Sequence, residues 1–230
     1  MDLTYEILLT LHAIAGVIAL VTYWAAALLR KGSPAHRAVG KAYLLAMLVI
    51  VVTGAPMAVI IAMKGKPGIA TFLGYLVVIT ATGMWNGWRA IRRKGQQQAF
   101  RDGTYAAVAV LNVVVSAVVF TVGWQMSQAL LMGFSMVGLL GGAQMLYLRA
   151  RPMASPRWWL EEHFSAMVGC GVATHIAFLA IGLDRIVRMA GIEPPSWYHL
   201  IAWFLPLSLA FVAVPLLRRK YNTAPVARPA

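Results

Sequence analysis

The sequence is short of charge, of acid above all, and of cysteine. Its 230 residues include only seven Asp and Glu against twenty Lys and Arg, and charged residues make up 12% of the whole. The single cysteine, Cys170, excludes an intrachain disulfide and a metal site built from several thiolates. No serine, histidine and carboxylate stand at a spacing that would assemble a nucleophilic triad, and no glycine-rich phosphate loop is present. Neither a hydrolase nor an ATP-driven pump is spelled out. What the chain does have is apolar: 60% of it is hydrophobic, with a mean hydropathy of +0.73. Soluble domains do not show such a balance, and the chain reads as an integral membrane protein. The formal net charge of +13 is then a matter of position along the loops, with lipid rather than nucleic acid as the partner.

Seven apolar segments can be marked: 7–29, 42–63, 68–87, 105–122, 129–148, 164–183 and 200–217. Each has about the length a spanning helix needs at ~1.5 Å per residue. The predicted fold is all-α, a seven-helix transmembrane bundle forming one domain over 1–220, with a mobile tail at 221–230. Sixteen of the twenty basic residues fall on one side of this arrangement; only Lys64, Lys66, Arg185 and Arg188 fall on the other. The positive-inside rule places the amino terminus outside and the carboxyl terminus in the cytoplasm. The first residues lack the basic start of a signal peptide, so the first helix is expected to be retained. Pro56, Pro206 and Pro215 lie inside predicted helices and favour kinks. Gly138, Gly141 and Gly142 allow close helix packing. Asn86, Asn112 and Gln144 are polar positions within helices, suited to interhelical hydrogen bonds or to lining a ligand cavity.

Five histidines carry most of the chemical information. An ionisable group in lipid is costly unless it finds a partner inside the bundle. On the predicted boundaries His12 lies ~8 Å below the outer surface and His175 ~12 Å below it, so the two share a level, with His199 just above. Gly16 stands one turn inward of His12 and Gly171 one turn inward of His175, which would leave room for a flat ligand. On the cytoplasmic side His36 and His163 also match in depth. His163 and His175 are twelve residues apart and point about 120° apart around their helix, so the natural pairings are His12 with His175 and His36 with His163. Ser33 and Pro34 look like a helix N-cap and first turn just before His36. Glu161 and Glu162, the one acidic pair, flank His163.

These positions admit three readings. The first is bis-histidine ligation of a b-type haem in a helical core, with electron transfer from a quinol or other redox partner. The second is a zinc or copper site on His12, His175 and His199. In the third the histidines are structural, in a non-catalytic permease or an assembly or scaffolding protein.

The motif LHxxxG at 11–16, the run RKGSPAHRAVGKAY at 30–43 with Met47 after it, and EEHFSAMVGCGVATHIAF at 161–178 resemble the signatures of a family of bacterial multi-pass membrane proteins of unassigned activity. The resemblance implies a location in the bacterial inner membrane. In arrangement, His12, His36, His163 and His175 are also similar to the paired histidines of two-haem cytochrome b membrane proteins. The helices involved here, one, two and six, are not consecutive.

Overall fold

The computed structural model describes residues 3–151 and 155–222. All regular structure among the described residues is helical: α1 (Leu3–Leu28), α2 (Pro34–Met63), α3 (Pro67–Arg92), a short α4 (Gln97–Phe100), α5 (Gly103–Gln125), α6 (Ala129–Arg149), α7 (Trp158–Ala177), a π-helical stretch (Phe178–Leu183), α8 (Asp184–Met189) and α9 (Trp197–Asn222). Seven of the continuous helical runs are long and apolar enough to cross a membrane, with α7, the π-helical stretch and α8 forming one of them. The bundle outlined by the apolar segments is therefore present. Large side chains such as Ile14, Val17 and Val21 on α1 and Leu209, Phe211 and Val212 on α9 stay exposed, as lipid-facing positions do.

Most boundaries lie further out than hydropathy alone places them. α2 begins eight residues before its apolar segment, because Ser33 accepts a hydrogen bond from the His36 N–H at 3.2 Å and Pro34 opens the first turn. His36 thus lies inside the helix rather than before it. α7 begins at Trp158, and its run continues through the π-helical stretch to Met189. The polar residues that carry these extensions lower the hydropathy without interrupting the backbone ladder. A π-helical turn leaves carbonyls to be satisfied, and the Tyr198 hydroxyl donates to the Leu179 carbonyl at 2.6 Å. The predicted tail at 221–230 lies mostly outside the described residues, apart from Tyr221 and Asn222, which close α9.

Packing follows the chain order, with one division. α1 lies along α2, α2 along α3, α3 against α7 and α7 against α9, while α5 and α6 form a tight hairpin joined to the rest mainly through α3 and α5. Gly142 makes that hairpin close, because a Cβ there would stand 2.7 Å from the Ala109 carbonyl. At the basic end the hairpin is fixed by the elbow of α4. Phe100, fully buried, packs on Tyr105 and Trp158 with ring centroids 5.3 and 5.0 Å away. The buried Arg89 holds the Asp102 carboxylate at 2.6 Å and also donates to the Ala99 carbonyl. Asp102 in turn caps α5 by accepting from the Tyr105 N–H at 3.0 Å. The start of α5 is thereby locked to α3, and α6 presents its free flank to α7 and α9.

Candidate functional site: a polar groove at the basic end

His12 and His175 do not share a level. His175 accepts a hydrogen bond on Nε2 from the indole N–H of Trp24 at 2.9 Å, and Trp24 lies twelve residues beyond His12 on the same helix, ~18 Å along its axis. The misplacement follows from the boundary of the α7 run, which extends six residues past the end that hydropathy suggested. The His175 ring also leans back toward the helix start, as helical side chains do. His12 instead faces α2. Its Nδ1 lies 2.9 Å from Thr53 Oγ1, whose own proton is directed to the Val49 carbonyl at 2.7 Å. Thr53 is therefore the acceptor and His12 the donor.

Both nitrogens of His175 are engaged, because Nδ1–H donates to the Gly171 carbonyl at 2.7 Å. Neither is left to coordinate a metal. The space beside Gly171 is filled by the Tyr23 ring, while a Cβ on Gly16 would meet nothing within 4 Å. The two glycines do not border a shared slot for a flat ligand. His199 is exposed at the start of α9, beside Tyr198. Among the described residues no three His, Cys, Asp or Glu side chains are grouped to hold a metal ion. The paired haem ligands His12 and His175, and the triad of these two with His199, are thus not brought together.

The inner pair is placed differently. His163 donates Nδ1–H to the Gly87 carbonyl at 2.9 Å and His36 donates Nδ1–H to the Ala26 carbonyl at 3.0 Å. His163 feels the charges of His36 and Lys31. Lys31 itself caps the last carbonyls of α1, Ala26 and Ala27. Burial and the charge of Lys220 hold its ammonium below the usual lysine range.

A concave feature with polar lining lies elsewhere. A cavity of about 630 Å³ opens at the basic end between the α5–α6 hairpin on one side and α7 with α9 on the other. Each wall is a helical stripe. Gly141, Gln144, Met145 and Leu148 repeat at three- and four-residue spacing on α6, as do Glu161, Glu162 and Ser165 on α7 and Val214 with Arg218 on α9. Arg101 from the turn before α5 and Tyr105 from its first turn close it, and Arg151, Ser155 and Trp158 complete the mouth. Arg101 is nine-tenths buried and lies 3.6 Å from Glu162. It donates through Nη1 to the carbonyls of Leu148 and Arg151. Arg218 holds Glu161 at 2.7 Å.

Two polar atoms of the lining have no partner among the described residues: Arg101 Nε and Ser165 Oγ. Buried groups of this kind are rare in proteins and mark places where a ligand or water completes the bonding. Asn86, just behind Met145, donates to that sulfur at 3.6 Å and leaves its own Oδ1 without a partner. Chemically, the site offers cations and carboxylates at the mouth, hydroxyl and amide groups one to two turns deeper, and apolar surface below.

Of the residues singled out in the sequence, Gln144 lines this groove and the acidic pair Glu161 and Glu162 forms part of its mouth. The roles of Arg101, Ser165 and Gly141 were missed. The one signal available was the repeat of Gly141 with Gln144 and Leu148 on a single helix face. Compared with family models, with curated proteins and with solved structures, the chain matches none of them.

Proposed function

We propose that this protein is a membrane-embedded binding protein of the carrier class, which takes an amphiphile into the groove between the α5–α6 hairpin and α7 with α9. The observation that carries this reading is the depth order of the lining. Charged side chains ring the mouth. Gln144 is five residues in from Arg149, ~8 Å, and Gly141 eight residues in, ~12 Å. A volume of about 630 Å³ lies within the ordinary range for small-molecule sites, and mixed apolar walls with a few convergent polar groups are what such sites present. Gly141 and Gln144 are exposed although they lie inside a spanning helix, which supports sideways entry from the bilayer.

The test is photo-crosslinking in bilayers with a phospholipid carrying a diazirine on its acyl chain near the ester. Labelled peptides should come from 141–148 and 158–165, and Gly141→Leu should remove the label, since a Cβ at Gly141 meets nothing within 4 Å and the new side chain fills the groove without disturbing the packing. Label spread evenly over the lipid-facing helices in both proteins would sink the proposal.

One observation favours a second, redox reading. His36 and His163 each give Nδ1–H to a backbone carbonyl, the arrangement that fixes a histidine with Nε2 free to coordinate iron or another metal. Haem b or a metal bound there would supply electron-transfer chemistry at the basic face. Reduced-minus-oxidised spectra of gently purified protein, repeated with His36→Ala, test it: a Soret band lost in the variant supports this second reading, and a featureless spectrum with no bound metal removes it.

A further inference from the structure

Building on the amphiphile reading, we infer that the groove selects a monoanionic glycerophospholipid, with its phosphodiester at the arginines, its ester carbonyls at Ser165 and Gln144, and its chains along Gly141 and Val214. Three observations lead there. The first is charge. Arg101, Arg151 and Arg218 against Glu161 and Glu162 leave the lining one positive charge in excess, and Arg149, which donates to the Arg101 carbonyl, adds another beside the mouth. A zwitterionic head would leave that excess uncompensated; a single phosphodiester charge matches the lining.

The second observation is geometry. The Arg101–Glu162 separation of 3.6 Å is longer than the ~2.7–2.9 Å of a charge-assisted hydrogen bond, and Arg101 Nε has no partner. The guanidinium is held through Nη1 by the Leu148 and Arg151 carbonyls, with its Nε–H still free. Arginine in such a pose is suited to a phosphate oxygen.

The third is depth. Ser165 lies seven residues into α7 from Trp158, ~10 Å, close to the level of Gln144, so hydroxyl and amide donors stand beneath the cations. Glycerophospholipids carry their groups in that order, phosphate first and ester carbonyls next. A fatty acid or an isoprenoid phosphate has no ester carbonyl to meet the unpartnered Ser165 hydroxyl.

The experiment is native mass spectrometry of the full chain released from bilayers of equal phosphatidylglycerol and phosphatidylethanolamine with matched chains. Wild type should retain phosphatidylglycerol roughly tenfold over phosphatidylethanolamine, the ratio given by about 1.4 kcal/mol. Arg151→Gln, at an exposed residue whose guanidinium lies over the Tyr147 ring, should bring that ratio close to parity while the protein stays folded. Ser165→Ala should weaken retention of both lipids and leave the ratio unchanged. Soluble glycerophosphoglycerol should not displace the lipid.

Equal retention of the two lipids, or an Arg151→Gln ratio equal to wild type, overturns the assignment of a monoanionic head while the amphiphile reading stands. Displacement by the soluble diester overturns the lipid as the source of the phosphodiester. Retention of neither lipid overturns both this inference and the reading on which it rests.

Discussion

Arg101, in the turn between α4 and α5, and Glu162 of α7 face each other across the groove with Nη2 and Oε1 3.6 Å apart, the one ion pair among those described that links this turn to α7. The contact is too long to neutralise the guanidinium tightly and too short to leave either charge independent. An anion at the free Nε would share the guanidinium charge with Glu162 at Nη2.

Glu162→Gln keeps the shape of the side chain and removes its charge, so the excess in the groove rises by one. Retention of phosphatidylglycerol by the variant should strengthen by roughly tenfold, the scale of one charge at a few ångströms in a partly buried site. Titration of delipidated protein with the lipid, followed by native mass spectrometry, measures it. Weaker retention would mean that Glu162 holds the ligand rather than competing with it.

Asp102 combines two roles that substitution can separate. Asp102→Ala removes the cap of α5 and takes the carboxylate from Arg89, which is 6% exposed and keeps its bond to the Ala99 carbonyl; with the Asp102 side chain 40% exposed, the expected cost is about 1–3 kcal/mol. Asp102→Asn keeps the cap and loses only the charge, so it should be the milder of the two. Reversible unfolding in detergent checks both, and equal costs would show that capping contributes nothing.

Where His12 and His175 are concerned, the expectation is independence. His12 bonds to Thr53 and His175 to Trp24 and Gly171, with no partner in common. The destabilisation from His12→Ala and His175→Ala should therefore add to within about 0.5 kcal/mol in the double variant. A coupling above ~1 kcal/mol would restore a shared site.

These contrasts mark how far the sequence could be read. Hydropathy located all seven spanning helices, and Ser33 with Pro34 announced the start of α2, because those signals are local. The failure at His175 came from treating the loss of hydropathy after Leu183 as the end of a helix. Asp184, Arg185 and Arg188 continue it, with Arg188 paired to Asp184 four residues earlier at 3.0 Å. The direction of each histidine ring was equally out of reach, since it depends on which neighbour supplies the bond. The groove is a product of tertiary packing. Gly141 and Gln144 were visible as a small and a polar residue in a helix, but only their place opposite Glu162 and Val214 makes them a wall.

The glycines give a further contrast. A Cβ on Gly171 would run into the Tyr23 ring, and one on Gly16 would meet nothing. Gly171→Ala should cost about 1–3 kcal/mol through displacement of the ring. Gly16→Ala should be neutral or stabilise α1 by up to ~1 kcal/mol. Thermal unfolding of the two variants is enough to decide; similar behaviour would indicate that Tyr23 moves freely out of the way.

The central claim, that the groove holds an amphiphile, is tested most directly by counting. Wild-type protein and Gly141→Leu, extracted in parallel under mild detergent and analysed by native mass spectrometry, should differ by one retained lipid mass: present on the wild type, absent from the variant, with the same folded charge-state distribution in both. The same retained lipid in both proteins, or none in either, would contradict the account.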